Sequence, residues 1–572
     1  MATRSAQTQS QFFTIDHHVQ DLQAHKDIWA TLPIPEKIKL LESSLKNLKK
    51  HAQEWVEASV TGKNLEPNSP WVGEEWVSGP WALAGWITAM METLAALDSG
   101  KHPPVKRIRT RKTGQVVAEV FPNNLYDFIL LNSTSAEVWM QPEVTLNNFW
   151  ENTAVFYQNP NPEGKVALVL GAGNINSIAP LDMLYKLFAD GEVVLLKMNP
   201  VNDYLGPILE KVFVPFTSRG FLRFAYGGAE VGQYLTDHDG IESIHITGSA
   251  NTHDAIMFGT GTEGASRKAT NTPRLNKSMT SELGGVGPLI IVPGPWNEAD
   301  IAFQAQNIAT QKLHNSGCNC VAAQVMITSA GWKHRDALID GIRNEFRNLP
   351  PRTPYYPGAE DRQERAMQHG GTAEEINGRV FITNLDPTAE DNYCFRSEFF
   401  SQALAQTDLQ SSDPLTFLRE AIAFANDELD GTLGATILIH PKTLAKMGGA
   451  FDDALAELKY GAIGVNVWNA GAFLLPHAAW GAHPGHTLDN IQSGIGTVHN
   501  AFLFDKPQKT IVRGPFRSMP RAWLHGDFNM MPKPIWFVNN KTAATTGKRV
   551  AYFAMEPSWA KMPAIVLSAM MG

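Results

Sequence analysis

Cysteine is scarce in this chain, with three residues in 572. Two of them, Cys318 and Cys320, stand one residue apart. The third, Cys394, lies far along the chain, so no disulfide framework is available. Such usage suits a reducing compartment. Long apolar runs are also missing: no stretch approaches the roughly 20 residues needed to span a bilayer. The polar, mixed-charge start, Met1 to Ala24, lacks the apolar core of a signal peptide. Met562 to Met571 is apolar but short and reads as a docked tail. Basic residues are not in excess, with 48 Lys and Arg against 57 Asp and Glu and a net charge of −9. Without a dense basic stripe, this balance argues against nucleic-acid binding. Together these absences predict a cytoplasmic protein with no integral membrane segment and no nucleic-acid partner.

The remaining composition, 43% hydrophobic and 18% charged, is that of a globular protein with large cores. The length predicts two or three domains. The first 30 residues read as a loose arm. From Pro35 the spacing of Ile38, Leu41, Leu45 and Leu48 predicts a helix, with Lys46, Lys49 and Lys50 on a solvated face. Trp71, Trp76, Trp81 and Trp86 form an aromatic ladder that either fills a core or lines an apolar substrate tunnel. From Lys165 strands and helices alternate. Val166–Leu170 ends in Gly171-Ala172-Gly173, a helix follows over Leu181–Phe188, then come Val193–Leu196 and Ile244–Ile246. A second set begins at Leu289–Val292 and continues through Ala302–Leu313, Val325–Thr328, Thr436–Ile439 and Ile463–Val467. This alternation predicts an α/β fold with a doubly wound parallel sheet. Beyond Asp505 recurrent prolines read as an irregular extension wrapped on the main body.

The chemistry concentrates at His314-Asn315-Ser316-Gly317-Cys318-Asn319-Cys320 and at Ser281-Glu282-Leu283-Gly284-Gly285. A thiol nucleophile and a nearby carboxylate can take an acyl group and then hydrolyse it. The two motifs lie on either side of a boundary near Glu282–Gly287, and clefts at such boundaries are common ligand sites. A metal or structural role for the Cys-x-Cys pair finds no further cysteine near in sequence. His477, His483 and His486 share a Gly/Pro/Ala loop, read as an ordinary loop against a metal site. The Gly171-Ala172-Gly173 turn lacks the third glycine of a dinucleotide fingerprint, and Lys197 stands where an acidic residue belongs. Asn174 there either holds the turn or donates to a developing oxyanion.

Taken together, these segments resemble the aldehyde dehydrogenase superfamily. Gly173-Asn174, a helix and Gly191-Glu192-Val193-Val194-Leu195-Leu196-Lys197 resemble its Asn turn and Lys-terminated strand. Ile246-Thr247-Gly248-Ser249 resembles its Phe-Thr-Gly-Ser turn. Glu282-Leu283-Gly284-Gly285-Val286-Gly287-Pro288 resembles its Glu-Leu-Gly-Gly block, Asn315 to Cys320 its cysteine motif, and Ser397-Glu398-Phe399-Phe400 its Glu-x-Phe block. The order is that of the family, and the resemblance runs from about Lys37 to Phe504.

The resemblance implies a Rossmann-like cofactor domain over 1–137 and 163–283 and a catalytic α/β domain over 284–497. It also implies a small β oligomerisation extension over 138–162 and 498–504, with 505–572 left as a C-terminal extension. It implies an NAD- or NADP-dependent aldehyde dehydrogenase, assembled as a homodimer or homotetramer. Cys320 attacks the aldehyde, Asn174 and the Cys320 amide hold the oxyanion, hydride leaves to the nicotinamide, and Glu282 activates water against the thioester. Lys197 is expected on the adenosine ribose and Glu398 on the nicotinamide ribose. Gly248 and Ser249 are expected near the pyrophosphate, and Phe400 near the nicotinamide.

The chain departs from the family at several points. Pro200 stands where NAD-preferring members carry Glu, which leaves NADP open. Ser401-Gln402 replaces Gly-Pro after the Glu-x-Phe block. Thr260–Lys277 is a polar insertion, and Cys318 occupies the usual Gln place. The alternatives are an acyl-CoA-forming or acyl-CoA-reducing relative, disfavoured by Glu282 because such relatives commonly lack it, and a non-catalytic scaffold. The tryptophans and the aromatic tail point to an apolar substrate, long-chain or aromatic.

Overall fold

The structure is a computed structural model that describes residues 2–526 and 529–572. Two large sheets organise it. The first has six strands, in the order Gly494–Ile495, Ser278–Leu283, Ser243–Gly248, Val166–Leu170, Val193–Lys197 and Leu222–Ala225. All pairings within it are parallel except that of the short Gly494–Ile495 strand. Its central strands are apolar on both faces, as a sheet covered by helices on both sides requires. Helices Ile178–Phe188 and Ala229–Asp237 make crossovers of the doubly wound type.

The second sheet has eleven strands. Its parallel centre runs Pro507–Arg513, Ala462–Val465, Gly434–Leu438, Gly287–Ile291, Ala323–Ser329, Ala403–Leu409 and Arg379–Leu385. Antiparallel strands close both ends. Ser135–Met140, Val116–Phe121 and Arg107–Thr110 flank Pro507–Arg513, and Thr372–Ile376 flanks Arg379–Leu385. The chain passes from the first sheet to the second between Leu283 and Gly287.

Three features differ from the sequence reading. The N-terminal arm is a helix, Ala2–Ala30. Ile15, Val19, Leu22 and Trp29 bury one stripe of it against the first sheet's core, a stripe diluted in sequence by polar neighbours. Arg107–Thr110 and Val116–Phe121, placed within the cofactor unit by the sequence boundaries, belong to the second sheet. The segment past Asp505 is also less irregular than its prolines suggest. It supplies Pro507–Arg513 to the interior of the second sheet, then helices Ala543–Met555 and Met562–Met570. The tail does dock, through Met562 and Ile565 against Val550 and Phe553.

The helix predicted from Pro35 runs Ile34–Gly62, with Lys46, Lys49 and Lys50 solvated. It leads to Val72–Trp76 and a π-helical turn, Val77–Trp81, with Pro80 inside it. Proline removes one donor there, and the Ser78 carbonyl accepts a bond from Ser177 Oγ at 2.6 Å.

Trp29 is fully buried. Its indole nitrogen donates to the Leu187 carbonyl at 3.0 Å, and its ring meets Phe188, Phe216 and Phe221 at 5.1–6.0 Å. Trp29→Ala is expected to cost about 3–5 kcal/mol of stability, measured as a shift in urea midpoint. No shift would show that the helix contributes nothing to the core.

Candidate functional site

The site is built where a strand end of the first sheet meets a turn entering the second. Glu282 closes Ser278–Leu283, and Cys320 follows helix Glu298–Leu313 and the turn His314–Gly317. Three consecutive residues of that turn are left-handed, Asn315 (φ 54°), Ser316 (φ 57°) and Gly317 (φ 73°). At Gly317 a Cβ would lie 2.1 Å from the Ser401 carbonyl oxygen, so only glycine fits.

A buried polar network holds the turn. Lys63 Nζ donates to Glu75 at 2.8 Å and to Asn315 Oδ1 at 3.0 Å. Asn315 Nδ2 donates to the carbonyls of Asn174 and Cys318 and to Tyr355 Oη at 2.9–3.2 Å. Its backbone N–H reaches Glu74, which also pairs with Arg352 at 2.8 Å. Asn176, beside Asn174, donates to Ser59 and Glu75. Asn315, Asn174 and Cys318 fall in motifs marked in the sequence; Lys63, Glu74, Glu75, Arg352, Tyr355 and Ser59 do not. The one available signal is charge within Gly62–Glu75, which a linear reading assigns to a surface.

Two cavities meet at Cys320. The larger is a wide polar cleft bordered by all eight residues singled out in sequence: Asn174, Lys197, Gly248, Ser249, Glu282, Cys320, Glu398 and Phe400. Lys197 ends its strand and Asn199 follows it. Ser249 caps helix Ala250–Met257, its hydroxyl accepting the Thr252 N–H at 3.2 Å. A Cβ at Gly228 or Gly232 would meet nothing within 4 Å, and one at Gly248 would meet only Ile246 at 3.5 Å. The glycines thus leave room for close approach at the helix starts. At the opposite end Glu398 Oε1 is buried and unpartnered, an acceptor for a ligand hydroxyl. A dinucleotide fits this arrangement of amine, open glycines, helix start and spare carboxylate.

The second cavity is small and apolar, about 70 Å³, and Val77, Trp81, Phe473, Trp468, Trp480 and Trp536 are among the residues that line it. Of the tryptophan ladder, Trp81 faces this cavity, Trp76 and Trp86 are core residues, and Trp71 lies under Arg352.

The thiols differ in place. Cys320 borders both cavities. Cys318 borders neither, and its Sγ lies 3.6 Å from the Phe400 carbonyl. Burial pushes Cys318 up to about 11. Cys320 is raised well above the ordinary thiol value by burial and by the charges of Glu282 and Glu398. Glu282 is pushed up to about 8, by burial first and then by Asp182 and Glu398, against the pull of Trp480 and Cys320. Glu398 rises to about 8 through burial despite Lys312 and Arg362. Burial thus holds both carboxyls and the thiol toward their neutral forms. Asn174 Nδ2 donates to the Cys318 carbonyl at 3.1 Å, which aims its amide at the cysteine turn. Phe400 is left-handed (φ 43°). Arg362 donates to the Phe399 and Phe400 carbonyls at 2.8 and 3.2 Å and steadies that turn where Ser401-Gln402 replaces Gly-Pro. His477, His483 and His486 do not gather; among the described residues no group of three metal-ligating side chains converges.

A family model described as the aldehyde dehydrogenase family matches residues 87–360. The D-glyceraldehyde dehydrogenase (NADP(+)) of Thermoplasma acidophilum is 30% identical over 341 residues, which are 54% of this chain and 60% of that protein. The N-succinylglutamate 5-semialdehyde dehydrogenase of Novosphingobium aromaticivorans is 27% identical over 202 residues, 35% of this chain and 38% of that protein. Among solved structures, the NADP-dependent glyceraldehyde-3-phosphate dehydrogenase of Bacillus halodurans with NADP aligns at TM-score 0.57 and 17% identity, covering 87% of this chain and 90% of that one. A variant of aldehyde dehydrogenase C from Pseudomonas syringae with NAD+ and octanal aligns at 0.56 and 15%, covering 87% and 88%. The fold is that of the aldehyde dehydrogenases, and residues 87–360 match that family's model.

Lys63 and Glu75 are each about 1% exposed. Lys63→Met leaves the carboxylate buried without its partner and is expected to cost about 3–5 kcal/mol, whereas Lys63→Met with Glu75→Leu recovers most of it. Denaturant unfolding of the three proteins measures this. Equal loss in single and double variants would show that the pair is not the source.

Proposed function

We propose that this protein oxidises an aldehyde to the free carboxylic acid, using NAD or NADP. The observation that supports the reading is that Cys320, Glu282 and Asn174 border one polar cleft, and that Cys320 also borders the apolar cavity. Its relatives' names support the same reaction class. Lys197, Gly248, Ser249, Glu398 and Phe400 would hold the dinucleotide, which when bound supplies the hydride acceptor.

The chain's own residues account for the remaining chemistry. The Cys320 thiolate adds to the carbonyl carbon, and the Asn174 amide with the Cys320 N–H faces the oxyanion. After oxidation the acyl group remains on sulfur as a thioester. Glu282, in its charged form, takes a proton from water as the water oxygen joins the carbonyl carbon and the C–S bond breaks. The presence of this carboxyl beside the thiol favours free acid over an acyl-CoA product.

The apolar walls around Cys320 favour an apolar aldehyde, long-chain or aromatic. The relatives' names cover polar aldehydes, and octanal stands in one aligned structure, so this assignment rests on the chain's own cavity. Pro200 removes the carboxylate that would repel a 2′-phosphate, which leaves both nicotinamide cofactors in the reading. The family resemblance also carries a homodimer or homotetramer. Among the described residues no helix is long and apolar enough to cross a membrane, and a cytoplasmic location accompanies the proposal.

Octanal with either cofactor should give reduced nicotinamide and octanoic acid, and Cys320→Ala should abolish both. Glu282→Gln should arrest the protein with an octanoyl group on Cys320, visible by intact-mass spectrometry. Reduced cofactor formed by Cys320→Ala would remove the reading. Because Glu282 must be charged to accept a proton and its carboxyl sits near 8, the hydrolytic step should speed up as pH rises through about 8. A rate that falls over that range would exclude Glu282 as the base.

A further inference from the structure

A helix that packs on a sheet normally presents apolar side chains to it. Strand Ser243–Gly248 instead turns a polar face toward Asp182 of helix Ile178–Phe188 and toward Glu192 just beyond that helix. Ser243, His245 and Thr247 alternate onto one face of the strand, and each finds a polar partner. Thr247 Oγ1 donates to Asp182 Oδ2 at 2.7 Å. His245 Nε2 lies 3.5 Å from the same oxygen and 3.4 Å from Thr247 Oγ1. Ser243 Oγ donates to Glu192, which neighbours Lys186 at 3.4 Å. Asp182 is 1% exposed and His245 2%.

This seam leads to the base. Thr247 is the register partner of Glu282, and His245 that of Thr280, on adjacent parallel strands. The four side chains therefore share one face of the sheet. His245 Nδ1 is 2.9 Å from Thr280 Oγ1. Beyond them lies a separate polar cavity bordered by His245, Thr280, Lys186, His486 and Asp190, where the Asp190 side chain is 37% exposed. At the other end Glu282 Oε1 and Asp182 Oδ1 are both buried without a hydrogen-bond partner.

We propose that Asp182, Thr247, His245 and Thr280 form an outlet that carries the proton captured by Glu282 away from the cleft to the polar cavity at the far end of the strand. The inference rests on the thioester-hydrolase reading of Cys320 and Glu282. One water proton reaches Glu282 as the C–O bond forms, and the sulfur leaves with its electron pair. Before the next turnover that proton must depart, and the dinucleotide side of the cleft would be filled by ligand. The charges of Asp182 and Glu398 act on Glu282, with Trp480 and Cys320 pulling the other way; Asp182 contacts His245 and Thr247, and its charge also acts on His499, which burial lowers to about 4 and so keeps neutral. The charge of Asp182 raises Glu282, so the outlet carboxylate also sets the pH range of the base. Asp182 and His245 act through Glu282 and are positioning residues.

p-Nitrophenyl acetate tests this without cofactor. It acylates a reactive thiol directly, so a nitrophenolate burst reports acylation of Cys320 and the steady rate reports hydrolysis. Asp182→Asn should keep a burst, slow the steady rate about tenfold, and move the low-pH limb of the rate profile downward by removing a negative charge from beside Glu282. His245→Gln should slow the steady rate similarly, leave that limb in place, and recover speed with added imidazole. His245→Gln also serves if Asp182→Asn does not fold. Bursts with unaltered steady rates and profiles in the folded variants overturn the outlet. A burst that survives in Cys320→Ala overturns the underlying reading instead.

Discussion

Asn315, Ser316 and Gly317 hold three successive left-handed conformations, and the placement of Cys320 depends on them. A non-glycine residue in that region costs of the order of 1–3 kcal/mol, so the turn persists only because its surroundings over-determine it. They do so with charge as well as packing. Lys63, Glu75, Glu74 and Arg352 are all nearly inaccessible to solvent, and Asn315 bonds to two of them. The amide of Asn315 then ties the turn to the carbonyl of Asn174. One side chain thereby links the turn that carries Cys320 to the turn that carries Asn174, which belong to different sheets.

The second determinant is the opposition of two environments at Cys320. On one side lie open glycines, an amine and carboxyls; on the other lie tryptophans and phenylalanine. The same low polarity that would exclude water from an acyl group raises the thiol and both carboxyls toward neutrality. The π-helical turn at Val77–Trp81 contributes to the apolar wall, in keeping with the concentration of such turns at functional sites.

Much of this is legible in the sequence, for definite reasons. Glycine-marked turns at strand ends announce themselves locally, and Gly171–Asn174, Gly248-Ser249, Glu282–Gly285 and Asn315–Cys320 all carry that mark. The alternation of strands and helices is likewise a local pattern. What stays hidden is whatever depends on distant partners. Trp29 is a core residue only because Phe188, Phe216 and Phe221 surround it. Lys63 and Glu75 look like surface charges until the turn from residue 315 lies over them. Asp182 sits in an apolar helix and acquires meaning only through strand Ser243–Gly248. Pro507–Arg513 is masked by prolines at 507 and 515 that favour loops, although the first merely opens the strand, where a missing donor costs little.

That strand has a temporal consequence. It pairs with Ala462–Val465 on one side and Ser135–Met140 on the other, joining segments made early and late. During synthesis the amino-terminal antiparallel strands emerge long before their neighbour exists, and they must wait with one margin bare. Unpaired margins invite association with other chains. The larger sheet therefore cannot join its amino-terminal strands to its centre until residue 513 has left the ribosome, and until then Ser135–Met140 lacks that neighbour.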